Sequence, residues 1–83
     1  MDVTRDKIRS LLRDIVTRKG LLEKFTDNTG LVSGGFIDSI DIMDIVVYLE
    51  QEFNLDFVDR GIDQTEFDSV DSIVQMVKEM SSS

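Results

Sequence analysis

The sequence predicts an all-α fold: a small four-helix bundle of three main helices and one short one, with a long loop between helices 1 and 2. Three observations lead there. Apolar residues recur at helical spacing in three separate segments. Gly-, Asn- and Ser-rich turn chemistry is concentrated between the first two segments. The chain has no proline to break a helix and only 83 residues, room for one domain.

In the first segment Ile8, Leu11, Leu12, Ile15 and Val16 fall at i, i+3, i+4, i+7 and i+8, one apolar stripe. Thr4 or Asp2 is the expected N-cap, and Arg18-Lys19-Gly20 brings cations and a glycine to the place where the helix should stop. Residues 20–37 keep no sustained period and contain Asp27-Asn28-Thr29-Gly30 and Ser33-Gly34-Gly35. They read as a long loop pinned to the core by Leu21, Leu22, Phe25, Leu31 and Phe36, with a short turn near 21–25. A loop of that length in so small a domain often carries function.

The second helix starts at Asp38 or Ser39 and runs to about Phe53, Asp38 and Asp41 having the spacing of a capping box. Ile62 to Phe67 suits one short helical turn. The third periodic segment, residues 69–80, carries the stripe Val70, Ile73, Val74 and Val77 behind a cap at Asp68 or Ser69. One domain is expected over residues 1–80, with residues 81–83 (Ser81-Ser82-Ser83) as a disordered tail.

Composition closes off several classes of function. Without His or Cys the polypeptide has no imidazole base, no thiolate, no disulfide and no ordinary zinc or iron–sulfur site. A domain of this size buries only roughly 60–65% of its unfolded surface, which leaves little room for a deep active site. Ser39 has no His or Cys to activate it, so an autonomous enzyme fits poorly. Calcium binding fares no better. In an EF-hand register from Asp27, positions 3, 5, 6 and 12 are Thr29, Leu31, Val32 and Asp38; from Asp63, positions 3 and 5 are Thr65 and Phe67.

Charge is divided along the chain. Residues 1–24 hold seven of the nine bases and a net charge of +3, while residues 25–83 carry a net −11. Such an acidic body repels nucleic acid and anionic lipid, and suits a partner with a basic surface. No apolar run approaches the ~20 residues of a membrane span, and no signal-peptide pattern opens the chain, so a cytoplasmic monomer with no membrane insertion is expected.

The second helix is apolar on two sides. At about 100° per residue, Ile42, Ile45, Val46, Leu49 and Phe53 share one arc, while Ile40, Met43 and Val47 share the roughly opposite one. Asp44, Glu50 and Gln51 flank the second stripe, and Asp41, Tyr48 and Glu52 lie on the remaining flank. Two readings stand: the second stripe packs under the long loop, or it is kept for a partner. Ser39 opens this helix, where free N–H groups and positive potential favour an attached anion; a serine at a helix start is most often only a cap.

Asp38-Ser39-Ile40-Asp41, opening a helix that reads Ser-Ile-Asp-Ile-Met-Asp-Ile-Val-Val-Tyr-Leu-Glu-Gln-Glu-Phe, resembles the acyl carrier protein family. The likeness covers nearly the whole chain, from an amphipathic first helix and long loop to an acidic second helix, a short third and an apolar fourth. It implies a carrier domain in which Ser39 holds 4′-phosphopantetheine, delivered from coenzyme A by a phosphopantetheinyl transferase that Asp38 helps to recruit. It implies acyl, aminoacyl or polyketide thioesters on the arm, in fatty-acid or specialised lipid and secondary-metabolite biosynthesis. Ile40, Met43 and Val47 would supply apolar contacts, and Asp41, Asp44 and Glu50 would meet basic residues of acyl-loading and acyl-transfer enzymes. Ile42, Ile45, Val46 and Leu49 would line the interior, where some members shelter an acyl chain, Ile42 filling part of it. The common fatty-acid type has Gly-x-Asp-Ser-Leu before the helix. Phe36-Ile37 before Asp38-Ser39-Ile40 is more similar to dedicated stand-alone carriers, such as D-alanyl carriers. The competing expectation is an acidic helical protein-interaction domain never modified on Ser39.

Overall fold

Three amphipathic segments become α-helices in the computed structural model, which describes residues 3–81: α1 (Val3–Arg18), α2 (Ser39–Phe53) and α3 (Val70–Ser81). Two 3-10 turns, Leu22–Lys24 and Gln64–Phe67, interrupt the connections. Among the described residues there is no strand, and no helix is long and apolar enough to cross a membrane. The short helical turn expected over residues 62–67 is the second 3-10 turn, begun two residues later at Gln64. Asp63 caps it, accepting the Thr65 N–H and hydroxyl at 3.0 and 2.7 Å.

α1 buries Ile8, Leu12, Ile15 and Val16, four of the five residues of its stripe. Its end is set by Gly20 at φ +74°, a backbone conformation that costs glycine little. The Gly20 N–H reaches the Thr17 carbonyl (3.0 Å) and the Leu21 N–H that of Val16 (2.9 Å), a Schellman closure. Thr4 is not the cap: α1 already includes Val3 and Thr4, and the other candidate, Asp2, lies outside the described residues.

The long loop is fastened by two carboxylates. Asp27 takes both arms of the Arg9 guanidinium (2.7 and 2.5 Å) and one nitrogen of Arg5 (3.1 Å), while Arg5 also reaches Asp71 at 2.5 Å. Asp68 accepts the N–H groups of Val32 and Ser33 (2.9 and 2.8 Å) and the Ser33 hydroxyl (3.1 Å); its carbonyl accepts the Leu31 N–H at 2.5 Å. Between these fastenings Leu31 is buried and Leu21, Phe25 and Phe36 are half-buried. Leu22 departs from the expected anchor set: it faces water on the outside of the first 3-10 turn. Gly34 closes the loop tightly, since a Cβ there would lie 2.4 Å from the Gly30 carbonyl oxygen.

α3 follows directly on Ser69, whose hydroxyl accepts the Ser72 N–H (3.0 Å) while its own N–H meets the Ser72 hydroxyl (3.1 Å). The cap is therefore Ser69, with Asp68 given over to the loop. Val70, Ile73, Val74 and Val77 are buried together with Met76, so the buried arc of α3 is wider than the expected stripe. Ser81 closes this helix rather than beginning a tail; Ser82 and Ser83 lie outside the described residues. In the core, the Phe57 ring from the connection after α2 meets the Phe67 ring at 6.3 Å between centroids. α2 ends at Asn54, held left-handed at φ 55°.

Leu12 and Leu49 are completely buried in one cluster. Truncation of either to alanine should cost roughly 2–5 kcal/mol, measured by denaturant unfolding; a loss under about half a kcal/mol would misplace the core. The loop fastenings make stability depend on acid. Hydrogen bonding to Arg9 holds the Asp27 carboxyl below its ordinary range, and the Ser33 and Val32 amides do the same for Asp68. A carboxyl lowered on folding contributes stability that is complete above about pH 4 and disappears as pH falls through its depressed native value. Asp27→Asn should therefore unfold earlier than the parent at pH 7, and the gap should narrow on acidification below about pH 4. A gap that stays constant with pH in thermal melts would remove Asp27 as the acid-sensitive group.

Candidate functional site

The start of α2 is built by two aspartates that cap each other. Asp38, in extended conformation, accepts the Asp41 N–H on Oδ1 (3.0 Å), and Asp41 Oδ2 accepts the Asp38 N–H (3.1 Å). The sequence reads this way locally because both carboxylates lie at the positive end of the helix dipole, where free N–H groups need acceptors. Ser39, the first residue of the helix, is exposed between them. Asp38 performs the capping, so the Ser39 hydroxyl is left out of the cap. Directly upstream, Ile37 is buried and Phe36 half-buried, and the N–H groups of both reach the Leu31 carbonyl at 3.0 and 2.7 Å. The loop thus delivers the serine from an anchored segment.

α2 has two apolar faces, and the tertiary structure covers one. Ile42, Ile45, Val46 and Leu49 are at most 4% exposed. Ile40, Met43 and Val47 are 72%, 51% and 47% exposed. The second stripe therefore does not pack beneath the long loop; it stands in water immediately beside Ser39. Burying such a stripe against another surface is favourable at about 25 cal/mol per Å².

The three acidic residues expected around this stripe are placed differently from one another. Asp44 is exposed. Glu50 is half-buried and accepts the Phe57 N–H at 3.4 Å, which ties it to the connection after α2. Asp41 belongs to the cap and is ion-paired with Lys19. Partial burial pulls the Asp41 carboxyl up, but the Lys19 ammonium and the Asp38 amide outweigh it and hold it below its ordinary range. Asp44 is thus the most open charge of the three, and Asp41 the most committed to the fold.

Sequence reasoning missed Lys19 and Val58. Lys19 is 22 residues from Asp41, and no local pattern pairs them. Val58 is 85% exposed on the connection after α2, outside any periodic segment. Among the described residues no group of three or more His, Cys, Asp or Glu is placed to hold a metal ion. Comparisons of the chain with protein-family models, curated proteins and solved structures find no match.

Division of labour between Asp38 and Ser39 is testable by stability alone. Asp38→Ala should cost about 1 kcal/mol in denaturant unfolding, the usual worth of an N-cap. Ser39→Ala should stay within about 0.5 kcal/mol of the parent. Equal losses would make the serine part of the cap.

Proposed function

We propose that this chain is a carrier protein of the acyl carrier type, with Ser39 as the attachment point of a 4′-phosphopantetheine arm. The observation that carries the reading is an exposed serine at the first position of α2 whose capping duty has been taken over by Asp38. Attachment breaks the phosphoanhydride bond of coenzyme A and forms a phosphodiester at Ser39 Oγ. The nucleotide leaves as adenosine 3′,5′-bisphosphate, and the serine proton passes to a base on the transferase. Asp38 fixes the turn that presents the hydroxyl, and the dipole of α2 favours the added negative charge. The thiol that the polypeptide lacks then arrives on the arm, and a cysteine-free chain offers no competing sulfur.

On this reading the chain catalyses nothing itself. A flexible arm raises the effective concentration of its cargo at a partner's active site. Ile40, Met43 and Val47 provide a shallow apolar contact, and Asp44 with the partly engaged Glu50 attracts Lys and Arg of the acyl-loading and acyl-transfer enzymes. Exposed charge pairs hasten encounter without prolonging the complex, as a protein visited by several enzymes requires. On this reading the short third helix of the carrier bundle would be the 3-10 turn Gln64–Phe67. Phe36 and Ile37, anchored before Asp38, and Ile42, filling the interior, fit a specialised stand-alone carrier working as a cytoplasmic monomer.

The test is intact-mass spectrometry after incubation with coenzyme A and a broad-specificity phosphopantetheinyl transferase. One phosphopantetheine adduct is expected on the parent and none on Ser39→Ala. An unmodified parent, or an adduct that survives the substitution, would overturn the carrier reading in favour of an unmodified acidic interaction domain using the same apolar stripe.

A further inference from the structure

α2 is joined to α1 by an ion pair at each end. Lys7 meets Glu52 where α2 finishes, its ammonium also lying 6.0 Å from the centre of the Phe53 ring. Lys19, one residue beyond α1, meets Asp41 where α2 begins. The two helices therefore run antiparallel, and each ion pair ties a residue of the α1 segment to a turn at one end of α2.

The two pairs differ in what they touch. Glu52 is an exposed residue on the last turn of α2, whereas the Asp41 side chain is only 15% exposed. Asp41 Oδ2 receives both the Lys19 ammonium and the Asp38 N–H, and Asp38 Oδ1 receives the Asp41 N–H in return. Ser39 lies within that closed turn. Upstream, the loop's carboxylate fastenings lead through Asp27 and Asp68 to α1 and to the start of α3. Lys19 thus links the serine's own turn to the body of the molecule. Both helix ends favour the arrangement, a cation by the C-terminus of α1 and an anion by the N-terminus of α2.

We infer that Lys19 is a positioning residue for Ser39: by holding Asp41 against the end of α1, it sets the angle at which the first turn of α2 offers the serine hydroxyl to a modifying enzyme. The inference rests on the carrier reading. In a group transfer the attacking oxygen must stand about 3–3.5 Å from phosphorus and in line, so a small rotation of this turn is felt in the chemical step rather than in encounter. Without the ammonium the reciprocal cap of Asp38 and Asp41 still forms but is held less firmly, having lost its charged link to the end of α1.

The experiment measures steady-state transfer from coenzyme A to the full chain for the parent, Lys19→Gln, Lys19→Arg, Asp41→Asn and the Lys19→Gln/Asp41→Asn pair. Amide hydrogen exchange at Asp38 and Asp41 is followed in parallel, all at a temperature where circular dichroism shows every variant folded. Lys19→Gln should lower kcat roughly two- to fivefold, the range one partly exposed ion pair can supply, with KM held. Lys19→Arg should restore the rate, Asp41→Asn should add nothing to Lys19→Gln, and exchange at the two amides should quicken by a similar factor. A raised KM with unchanged kcat would make Lys19 a contact for the transferase and overturn the positioning role. Unchanged amide exchange would overturn it whether or not the arm is accepted. A parent that takes no arm removes the carrier reading, and the exchange measurement then decides alone whether Lys19 holds the turn.

Discussion

Asp68 is the residue on which the path of the chain depends. Its carboxylate and carbonyl together satisfy four donors of the long loop, the N–H groups of Leu31, Val32 and Ser33 and the Ser33 hydroxyl. The N–H of the fully buried Leu31 would cost on the order of 1–3 kcal/mol without a partner, so this part of the loop can lie against the core only where an acceptor awaits it. With Leu31 seated beside Asp68, Ile37 is carried into the core and Asp38 arrives at the start of α2. The position of Ser39 is thus a consequence of a contact made 29 residues later in the chain.

The same fastening explains how α2 can remain apolar on two sides. The loop is held along α1 and the start of α3, and it does not cover Ile40, Met43 and Val47. The inward face is closed instead by α3 and by Phe57 and Phe67 from the second connection, within a single apolar cluster. An exposed stripe of three large apolar residues on a domain of 83 residues is an energetic liability unless something uses it. The open acid beside it is Asp44, an exposed charge on the same helix, since Asp41 and Glu50 are engaged within the fold.

Charge in this molecule has two duties that composition does not separate. Asp27, Asp41 and Asp68 are spent on holding the loop and the helix start, each kept ionised by donors or cations near it. Asp44 is left for the outside. The cations follow the same division, for Arg5, Arg9 and Lys19 serve as clamps within the fold. Of the seven bases in residues 1–24, Arg5, Lys7, Arg9 and Lys19 are thus paired within the fold, while Arg13, Arg18 and Lys24 are exposed.

Local spacing determined the three helices, the stop at Gly20, the cap of Asp38 with Asp41, the loop and the two-sided character of α2, because each depends on residues within one or two turns. The site was legible to the same extent: Ser39 at a helix start, with an apolar stripe and acids behind it. Tertiary structure alone decided that the stripe faces water and that Asp41 belongs to Lys19. It also decided that Leu22 stays outside while Phe57 and Met76 go in. The physical reason is range. Periodicity and capping are settled by neighbours a few residues apart, whereas burial and ion pairing depend on where an irregular loop brings segments that lie 20 or more residues apart in the chain.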